Sequence, residues 1–424
     1  MSVQELLEER SIDYWDFSNS KLSGIHKIST YPATMVPDMQ KELIQAVMDD
    51  DPSINSMLDP FHGSGVTLVE GAALGLDPIG FDINPLANLM TLVKLQGVNK
   101  NDIKQHNNKI MKLLNDTSIE FPIHSFNNIE KWFREDVIFD LSKIRYAIKQ
   151  EKYKYYRQYY WVCLTNIIKK YSNTRSSTFK LHVKEQIDIQ SLRNNIMDDF
   201  FRQIQTAYYF LPDYDMHKKI DLLIGDTKEI LSKMSKNSVD LICTSPPYGD
   251  NATTVTYGQY SILSLYWIDR KDLGNFDDTL LENYSSIDSS SLGGIKKARS
   301  ENTFESEILS HYLDLIAPKK QRKVVKFITD YIAVFDYLAD VLRENKYMIL
   351  TLGNRRVDNK VMPLTEITKE FLAFKGFTLE TEISRNIPVK RMPKKVSSVN
   401  NESVSSMNSE FVLIFKKESK RGKE

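Results

Sequence analysis

Residues 240–248 are the part of the sequence whose types and spacing most clearly predict chemistry. An apolar strand is expected at residues 239–243, and the chain then runs directly into Ser245-Pro-Pro-Tyr248. Two prolines cannot continue a β-ladder and they fix φ at successive positions, so the loop after the strand must be stiff. A serine hydroxyl and a prolyl carbonyl held there can accept both hydrogens of an exocyclic amine, and the Tyr248 ring offers a face for an aromatic base. The motif therefore predicts a pocket for a planar amino group.

A second motif, Asp-Pro-Phe-His-Gly-Ser-Gly at residues 59–65, follows a short apolar segment and precedes helical spacing at residues 68–74. Its glycines allow the backbone to approach a ligand closely, and the helix start offers free N–H groups and a positive dipole to an anionic group. A second strand, residues 77–82, ends in Asp82 about 20 residues beyond the glycines, where nucleotide sites hold ribose hydroxyls. The unit fits an adenosyl cofactor.

Each motif also has an ordinary structural interpretation. Proline is common in the turn that follows a strand, and glycines occur at strand-to-helix turns because the backbone conformation there favours them. A phosphate-loop NTPase fits less well because no lysine follows the second glycine, and a dinucleotide-binding dehydrogenase fits less well because the three-glycine fingerprint is absent. The two motifs together favour the cofactor interpretation.

The sequence resembles the amino-group DNA methyltransferases, which use S-adenosylmethionine. The stretches that carry this resemblance are Asp59-Pro-Phe-His-Gly-Ser-Gly-Val-Thr, Phe81-Asp-Ile-Asn-Pro-Leu-Ala, Gly225-Asp226 and Thr244-Ser-Pro-Pro-Tyr. The serine of the last motif is similar to the cytosine-N4 branch, whereas adenine-N6 enzymes more often have Asp or Asn there. In most cytosine-N4 enzymes the catalytic motif precedes the cofactor motif. Here that order is reversed, with a long insertion at residues 95–217, so cytosine and adenine both stay open.

The resemblance implies roles for individual residues. The catalytic loop would comprise Ser245, Pro246, Pro247 and Tyr248. The S-adenosylmethionine site would comprise Thr30, Tyr31, Asp59, Phe61, Gly63, Ser64, Gly65, Asp82 and Asp226. Within that site Asp82 would accept from the ribose hydroxyls and Asp226 from the adenine amine. The implied substrate is double-stranded DNA with the target base extruded, in a bacterial restriction-modification system with a cognate restriction endonuclease as a further partner.

The expected fold is α/β: a Rossmann-like methyltransferase sheet, mostly parallel with a C-terminal antiparallel hairpin at residues 377–383 and 411–415, carrying a helical insertion. Helices are expected at residues 39–48, 101–114, 129–148, 155–170, 260–268, 319–343 and 364–375. The expected organisation is an N-terminal lead (1–23), a cofactor-binding half (24–98), a helical insert with a DNA-binding or target-recognition role (99–217), a catalytic half (218–268), a flexible DNA-contact region (269–323), the remainder of the sheet (324–417) and a disordered tail (418–424).

The formal net charge of zero is unusual for a protein that binds nucleic acid, but the basic residues are concentrated in the insert. Residues 143–184 are rich in Lys and Arg with interleaved tyrosines, a composition that suits a phosphate backbone. A solvated helix with a tyrosine-rich core face would explain the same residues. The predicted DNA contacts are Lys152, Lys154, Arg157, Arg175, Lys390 and Arg391.

Composition narrows the remaining classes. The 424 residues are 41% hydrophobic and 26% charged, as in globular proteins, and no apolar run is long enough to span a bilayer. Two cysteines exclude a disulfide framework and favour the cytoplasm. The histidines lack ligand spacing, so no metal is expected. Neither cysteine follows a proline, which argues against carbon-5 cytosine methylation, and the zinc-deaminase signature is missing. The alternatives left open are methylation of adenine N6, of rRNA or of a protein glutamine, and a catalytically silent DNA-binding subunit.

Overall fold

The computed structural model describes residues 2–8, 10–11, 13–212, 219–251, 254–295, 304–387, 395–399, 402–405 and 409–419. The strands are β1 (Ser56–Asp59), β2 (Asp77–Asp82), β3 (Asp221–Ile224), β4 (Val239–Thr244), β5 (Leu342–Leu352), β6 (Arg356–Val357), β7 (Lys360–Val361), β8 (Phe377–Asn386), β9 (Lys395–Val399), β10 (Glu402–Ser405) and β11 (Ser409–Lys417). The helices are α1 (Val3–Glu8), α2 (Pro37–Asp50), α3 (Val66–Ala73), α4 (Pro85–Gln96), α5 (Lys100–Asn115), α6 (Ile129–Trp132), α7 (Glu135–Lys149), α8 (Lys154–Tyr171), α9 (Gln186–Ser191), α10 (Ile196–Phe210), α11 (Thr227–Leu231), α12 (Tyr257–Trp267), α13 (Ser286–Ser290), α14 (Glu307–Asp314), α15 (Pro318–Val341) and α16 (Leu364–Phe374). Short 3-10 helices lie at Tyr14–Asp16, Gly24–Ile28, Arg270–Asp272 and Asp278–Leu281.

One sheet of seven strands organises the chain, in the order β3-β2-β1-β4-β5-β11-β8. Strands β1 to β5 pair in parallel, and β11 pairs antiparallel with both β5 and β8. The predicted Rossmann-like sheet with its C-terminal antiparallel pair is therefore confirmed. Strand β4 is buried at every position and lies between β1 and β5. Its sequence is apolar except for Asp240 and the terminal Thr244, as suits a strand covered on both faces.

The two nucleotide-type units of the first half fold as their sequences predict. Gly65 adopts φ +77° at the start of α3, and a Cβ there would lie 2.5 Å from the Thr91 side chain, so both the backbone and the packing require glycine. The Asn84 side chain accepts a hydrogen bond from the Leu86 N–H and caps α4, which has Pro85 in its first turn. These caps place the loops after β1 and β2 side by side at the carboxyl edge of the sheet.

Two predicted boundaries are corrected. Residues 129–148 form two helices, α6 and α7, because Phe133 is extended (φ −143°, ψ 145°) and buries its ring against Trp267. The long helix expected at residues 319–343 ends at Val341, and β5 begins immediately at Leu342. Buried and more exposed positions alternate in the first half of β5. The sequence there is not a continuous apolar run and therefore did not indicate a strand.

The insert packs into the same core as the sheet domain. A continuous cluster of buried side chains joins Met57 and Leu241 of the sheet to Ile144 and Trp161 of the insert. The predicted flexible region contains α13, in which Ile287 and Asp288 are buried. Residues 296–303 of that region, and residues 420–424 of the predicted tail, lie outside the described part of the chain.

Candidate active site

The catalytic and cofactor motifs meet at the ends of β4 and β1. The Thr244 hydroxyl donates to Asp59 Oδ1 at 2.6 Å, and the Phe61 N–H donates to the same oxygen at 3.1 Å. Asp59 is fully buried, and this burial raises the pKa of its carboxyl to about 7, although both of these hydrogen bonds act in the opposite direction. One carboxyl group thus ties the start of the Gly loop, residues 59–65, to the strand that carries Ser245.

Asp82 connects the Gly loop to the loop after β2. Its Oδ2 accepts from the Gly63 N–H at 3.0 Å, and its Oδ1 accepts from the Asn84 N–H at 2.8 Å. Burial raises the pKa of this carboxyl, and the neighbouring His62 and both N–H groups lower it. Asp82 therefore holds two backbone segments while its remaining lone pairs can still accept from a ligand hydroxyl.

An aromatic cluster covers one side of this junction. The Asn84 amide donates to the Tyr31 hydroxyl at 3.0 Å and to Ser261 Oγ at 2.7 Å. The Tyr31 ring stacks on Tyr257 with centroids 5.6 Å apart and lies 3.7 Å from where a Cβ on Gly63 would stand. Tyr31 is consequently brought to the Gly loop, as predicted.

Thr30 lies on the outer side of the same cluster. It is exposed, its N–H donates to the Asn166 side chain of α8 at 3.0 Å, and its carbonyl accepts from the Tyr260 hydroxyl at 2.9 Å. These two bonds fix the segment before Tyr31 against both α8 and α12.

Polar side chains hold the Gly loop in place by contacts to its backbone carbonyls. The buried His62 ring places Nδ1 2.9 Å from the Gly63 carbonyl and 3.1 Å from the Thr91 hydroxyl. Lys94, 1% exposed, donates to the Ser64 carbonyl at 2.7 Å, and burial lowers the pKa of its ammonium to about 7. These contacts hold the Gly63 and Ser64 carbonyls of the loop against side chains of α4.

Asp226 follows β3 and caps the short helix α11. Its Oδ1 accepts from the N–H groups of Lys228 and Glu229 at 2.9 and 3.2 Å. The next residue, Thr227, donates to the Pro60 carbonyl at 2.9 Å and so ties this loop to the Gly loop.

The Ser-Pro-Pro-Tyr loop places its two polar side chains together. Ser245 Oγ lies 3.0 Å from the Tyr248 hydroxyl, and that hydroxyl lies 3.4 Å from Glu410 Oε1 on β11. Arg385 of β8, 4% exposed, donates to the other Glu410 oxygen at 2.9 Å. Burial raises the pKa of Tyr248 well above its usual range, and the neighbouring Glu410 charge adds to that rise.

Over 442 aligned residues the chain is 28% identical to type II methyltransferase M.MvaI of Kocuria varians, covering 95% of this chain and 93% of that protein. This similarity extends over nearly the whole length of both proteins. A shorter match, 32% identical over 109 residues, joins 24% of the chain to 19% of type II methyltransferase M.MjaII of Methanocaldococcus jannaschii. No family model matches.

A structural alignment with a solved rRNA methyltransferase from Streptomyces viridochromogenes covers 98% of this chain and 96% of the rRNA methyltransferase, with 9% identity and a TM-score of 0.30. So low a score adds nothing to the sheet topology described above. The sequence similarity to M.MvaI confirms the predicted resemblance, while the cytosine-N4 branch stays a prediction.

The predicted DNA contacts differ in their surroundings. Lys152 and Lys154 are exposed, and Arg175 is exposed beside Glu185 at 3.2 Å. Arg157 instead pairs with Asp272, with an Nη2–Oδ1 distance of 2.7 Å. Lys390 and Arg391 lie outside the described residues.

The tyrosines of the basic segment divide in the same way. Tyr156, Tyr159, Tyr160 and Tyr171 are at most 1% exposed, so for them the tyrosine-rich core face is the correct interpretation. Tyr153 is exposed at the start of α8. The exposed aromatic rings of this segment are those of Tyr153 and Phe179.

Sequence reasoning missed the supports of the site. Lys94 and Thr91 are spaced along α4 as ordinary core-facing positions, and Glu410 lies 162 residues after Tyr248. Only the sheet order, which puts β11 next to β5, brings Glu410 close to the catalytic loop.

Two further classes of site are absent from the described residues. Among them, no group of three or more His, Cys, Asp or Glu side chains is placed to hold a metal ion. Nor does any described helix have the length and apolar character needed to cross a membrane.

Proposed function

We propose that this chain is a cytoplasmic, S-adenosylmethionine-dependent DNA methyltransferase that modifies the N4 amine of cytosine. The observation that carries the proposal is the contact between Thr244 and Asp59, since it joins the Ser-Pro-Pro-Tyr loop to the Gly loop within one homologue of the type II methyltransferases. In an open α/β sheet, ligands bind at the carboxyl ends of the strands, which is where both loops lie.

The residues around the Gly loop fit an adenosyl cofactor. Gly63, at positive φ, has no side chain to keep a ligand from the loop backbone, and Asp82 stands at the end of β2 as a ribose acceptor. The buried Asp59 carboxyl is available to an α-ammonium group, Asp226 to the adenine amine, and Tyr31 would close the pocket. When bound, the cofactor supplies a methyl group on a positively charged sulfur.

The catalytic loop would localise the lone pair of the target amine. In cytosine that lone pair is delocalised into the ring, so the amine is a poor nucleophile. Ser245 Oγ and the Pro246 carbonyl accept its two hydrogens, which draws the nitrogen toward tetrahedral geometry and aims the lone pair at the methyl group. The rigidity of Pro246 and Pro247 maintains these acceptors, and the Tyr248 ring stacks on the extruded base.

Three exposed basic residues are proposed to contact the phosphates: Lys152 just before α8, Lys154 at its first position, and Arg175 in the turn after it. Lys390 and Arg391 are kept as contacts from their sequence alone. Phosphate contacts of this kind give affinity and position the duplex but do not read its sequence. The proposal places the chain in a restriction-modification system, with a cognate endonuclease as a separate partner.

Digestion of DNA from cells that express the chain, followed by separation of nucleosides by mass, tests the proposal directly. The expected new species is N4-methylcytosine, since Ser245 offers a neutral acceptor in place of the carboxylate or amide typical of adenine enzymes. N6-methyladenine alone would overturn the base assignment but keep the cofactor site. Binding of labelled S-adenosylmethionine separates both outcomes from a catalytically silent subunit, which would bind DNA and transfer nothing.

A further inference from the structure

Glu410 is a charged residue beside the catalytic loop that no motif contains. It enters from β11, with one oxygen 3.4 Å from the Tyr248 hydroxyl and the other bonded to Arg385 at 2.9 Å. Arg385 is itself anchored, since its Nη2 donates to the Asp16 carbonyl at 3.1 Å. The carboxylate is thus held in place from the side opposite the tyrosine.

The contact between Ser245 and Tyr248 can form in two directions, because either hydroxyl can donate the single hydrogen between them. If Tyr248 donates, the Ser245 hydrogen must point elsewhere, and the direction left for it is the target amine. A donor aimed at the amine nitrogen would occupy the lone pair that has to attack the methyl group. If Ser245 donates, its Oγ presents only lone pairs to the amine.

The Glu410 carboxylate determines which of the two hydroxyls, Ser245 or Tyr248, donates to the other. Ionised Glu410 only accepts, so the Tyr248 hydrogen points toward it, and the Tyr248 oxygen must then accept from Ser245. At 3.4 Å the bond is long, but the full negative charge of a carboxylate that is only 20% exposed still orients a hydroxyl dipole. Arg385 favours the ionised form of Glu410 by donating to it directly.

We infer that Glu410 is a positioning residue which, acting through the Tyr248 hydroxyl, fixes Ser245 Oγ as a hydrogen-bond acceptor for the target amine. The inference rests on the proposed function and adds to it the reason why Ser245 accepts. Glu410 has no contact with the base in this scheme. Its effect must pass entirely through Tyr248, and this dependence is measurable.

The test is a double-mutant cycle with Glu410→Gln and Tyr248→Phe. Glutamine keeps the shape of Glu410 but can also donate, so it no longer fixes the direction, while phenylalanine keeps the stacking ring and removes the hydroxyl. Each single variant should lower the single-turnover rate of methyl transfer about tenfold. The double variant should be no slower than Tyr248→Phe alone, because Glu410 then has nothing to act through.

Rates are measured with tritiated S-adenosylmethionine and mixed-sequence DNA free of modified bases, and affinities for both ligands should stay unchanged. The matched control is Glu382→Gln, which alters another ion-paired glutamate on the neighbouring strand β8 and should leave the rate unchanged. If Glu410→Gln does not fold because Arg385 loses its partner, the paired variant Arg385→Gln/Glu410→Gln replaces it in the cycle.

Additive effects in the cycle, or a Glu410→Gln rate equal to wild type, would overturn the inference. As a second cycle that leaves the Arg385–Glu410 pair intact, Tyr248→Phe should cost little in a Ser245→Ala background, and an undiminished loss there would contradict the scheme. A wild-type chain that transfers no methyl group to DNA would instead refute the proposed function itself.

Discussion

Asp82 uses its two carboxylate oxygens on two different backbone segments, and this dual use predicts what its loss would do. Asp82→Ala should weaken S-adenosylmethionine binding about 10- to 100-fold, because it removes the proposed ribose acceptor and also releases the Gly63 N–H. Titration calorimetry measures the change. Asp77→Ala, at the opposite end of β2, is the matched control. A folded Asp82→Ala protein with unchanged affinity would remove Asp82 from the site.

The raised pKa of Asp59 predicts that binding of the cofactor is coupled to the release of a proton. Burial raises its pKa to about 7 in the free protein, and a cationic group bound beside it would stabilise the carboxylate and lower that pKa. Binding should therefore release a proton near pH 7, and affinity should rise as pH increases toward 7 by up to about tenfold per unit, then level off.

Calorimetry in buffers of different ionisation enthalpy counts the released protons. Asp59→Asn should abolish the release that belongs to Asp59, and any remainder reports on Lys94, whose pKa also lies at about 7. Proton uptake on binding, or release that survives in Asp59→Asn at full strength, would show that Asp59 does not face the cationic part of the ligand.

At the scale of elements, the basic residues near the start of α8 are of two kinds: exposed lysines, and an arginine that pairs with a buried carboxylate. Lys152→Ala/Lys154→Ala should weaken DNA binding and lower the salt-dependence slope by roughly one unit for each phosphate that is no longer neutralised. The control, Lys233→Ala/Lys236→Ala, removes two exposed lysines before β4, at the amino edge of the sheet and away from the site. Affinity and slope equal to wild type would move the DNA surface elsewhere.

Arg157, one turn into the same helix, should behave differently from the lysines. Its partner Asp272 is 1% exposed and also accepts from the Trp161 indole at 2.7 Å. Arg157→Ala leaves this carboxylate buried without its cation and should destabilise the fold by about 3 kcal/mol, as measured by denaturant unfolding. Because the arginine is partly exposed, a loss under 1 kcal/mol would indicate that water replaces it.

The sequence could predict those functional residues that lie together in one short motif, and it could not predict those whose partners are distant in the chain. The Gly loop, Asp82 and the catalytic loop each occupy one strand end, so their types and spacing revealed them. Arg157 could not be told from Lys154, since both are basic residues in one helix and only the tertiary fold supplies Asp272. Glu410 and Lys94 were missed for the same reason: their partners are distant in sequence or are backbone carbonyls.

At the scale of the whole molecule, the insert is not an appended unit. Its helices α7 and α8 contribute Ile144 and Trp161 to the core that holds Met57 and Leu241 of the sheet, and Arg157 joins it to the segment after α12. A domain that buries its apolar face against the sheet cannot unfold alone without exposing both surfaces to water.

The insert and the sheet should therefore unfold together. In native-state hydrogen exchange, buried amides of α8 and β4 are expected to open with the same free energy, and calorimetry should give one transition for both. Helix α14, in which only Tyr312 is buried, provides the internal contrast and should exchange sooner. Two separate transitions, with α8 opening well below β4, would show instead that the insert folds as an independent DNA-binding domain, and removal of residues 99–217 would then leave a folded, cofactor-binding sheet.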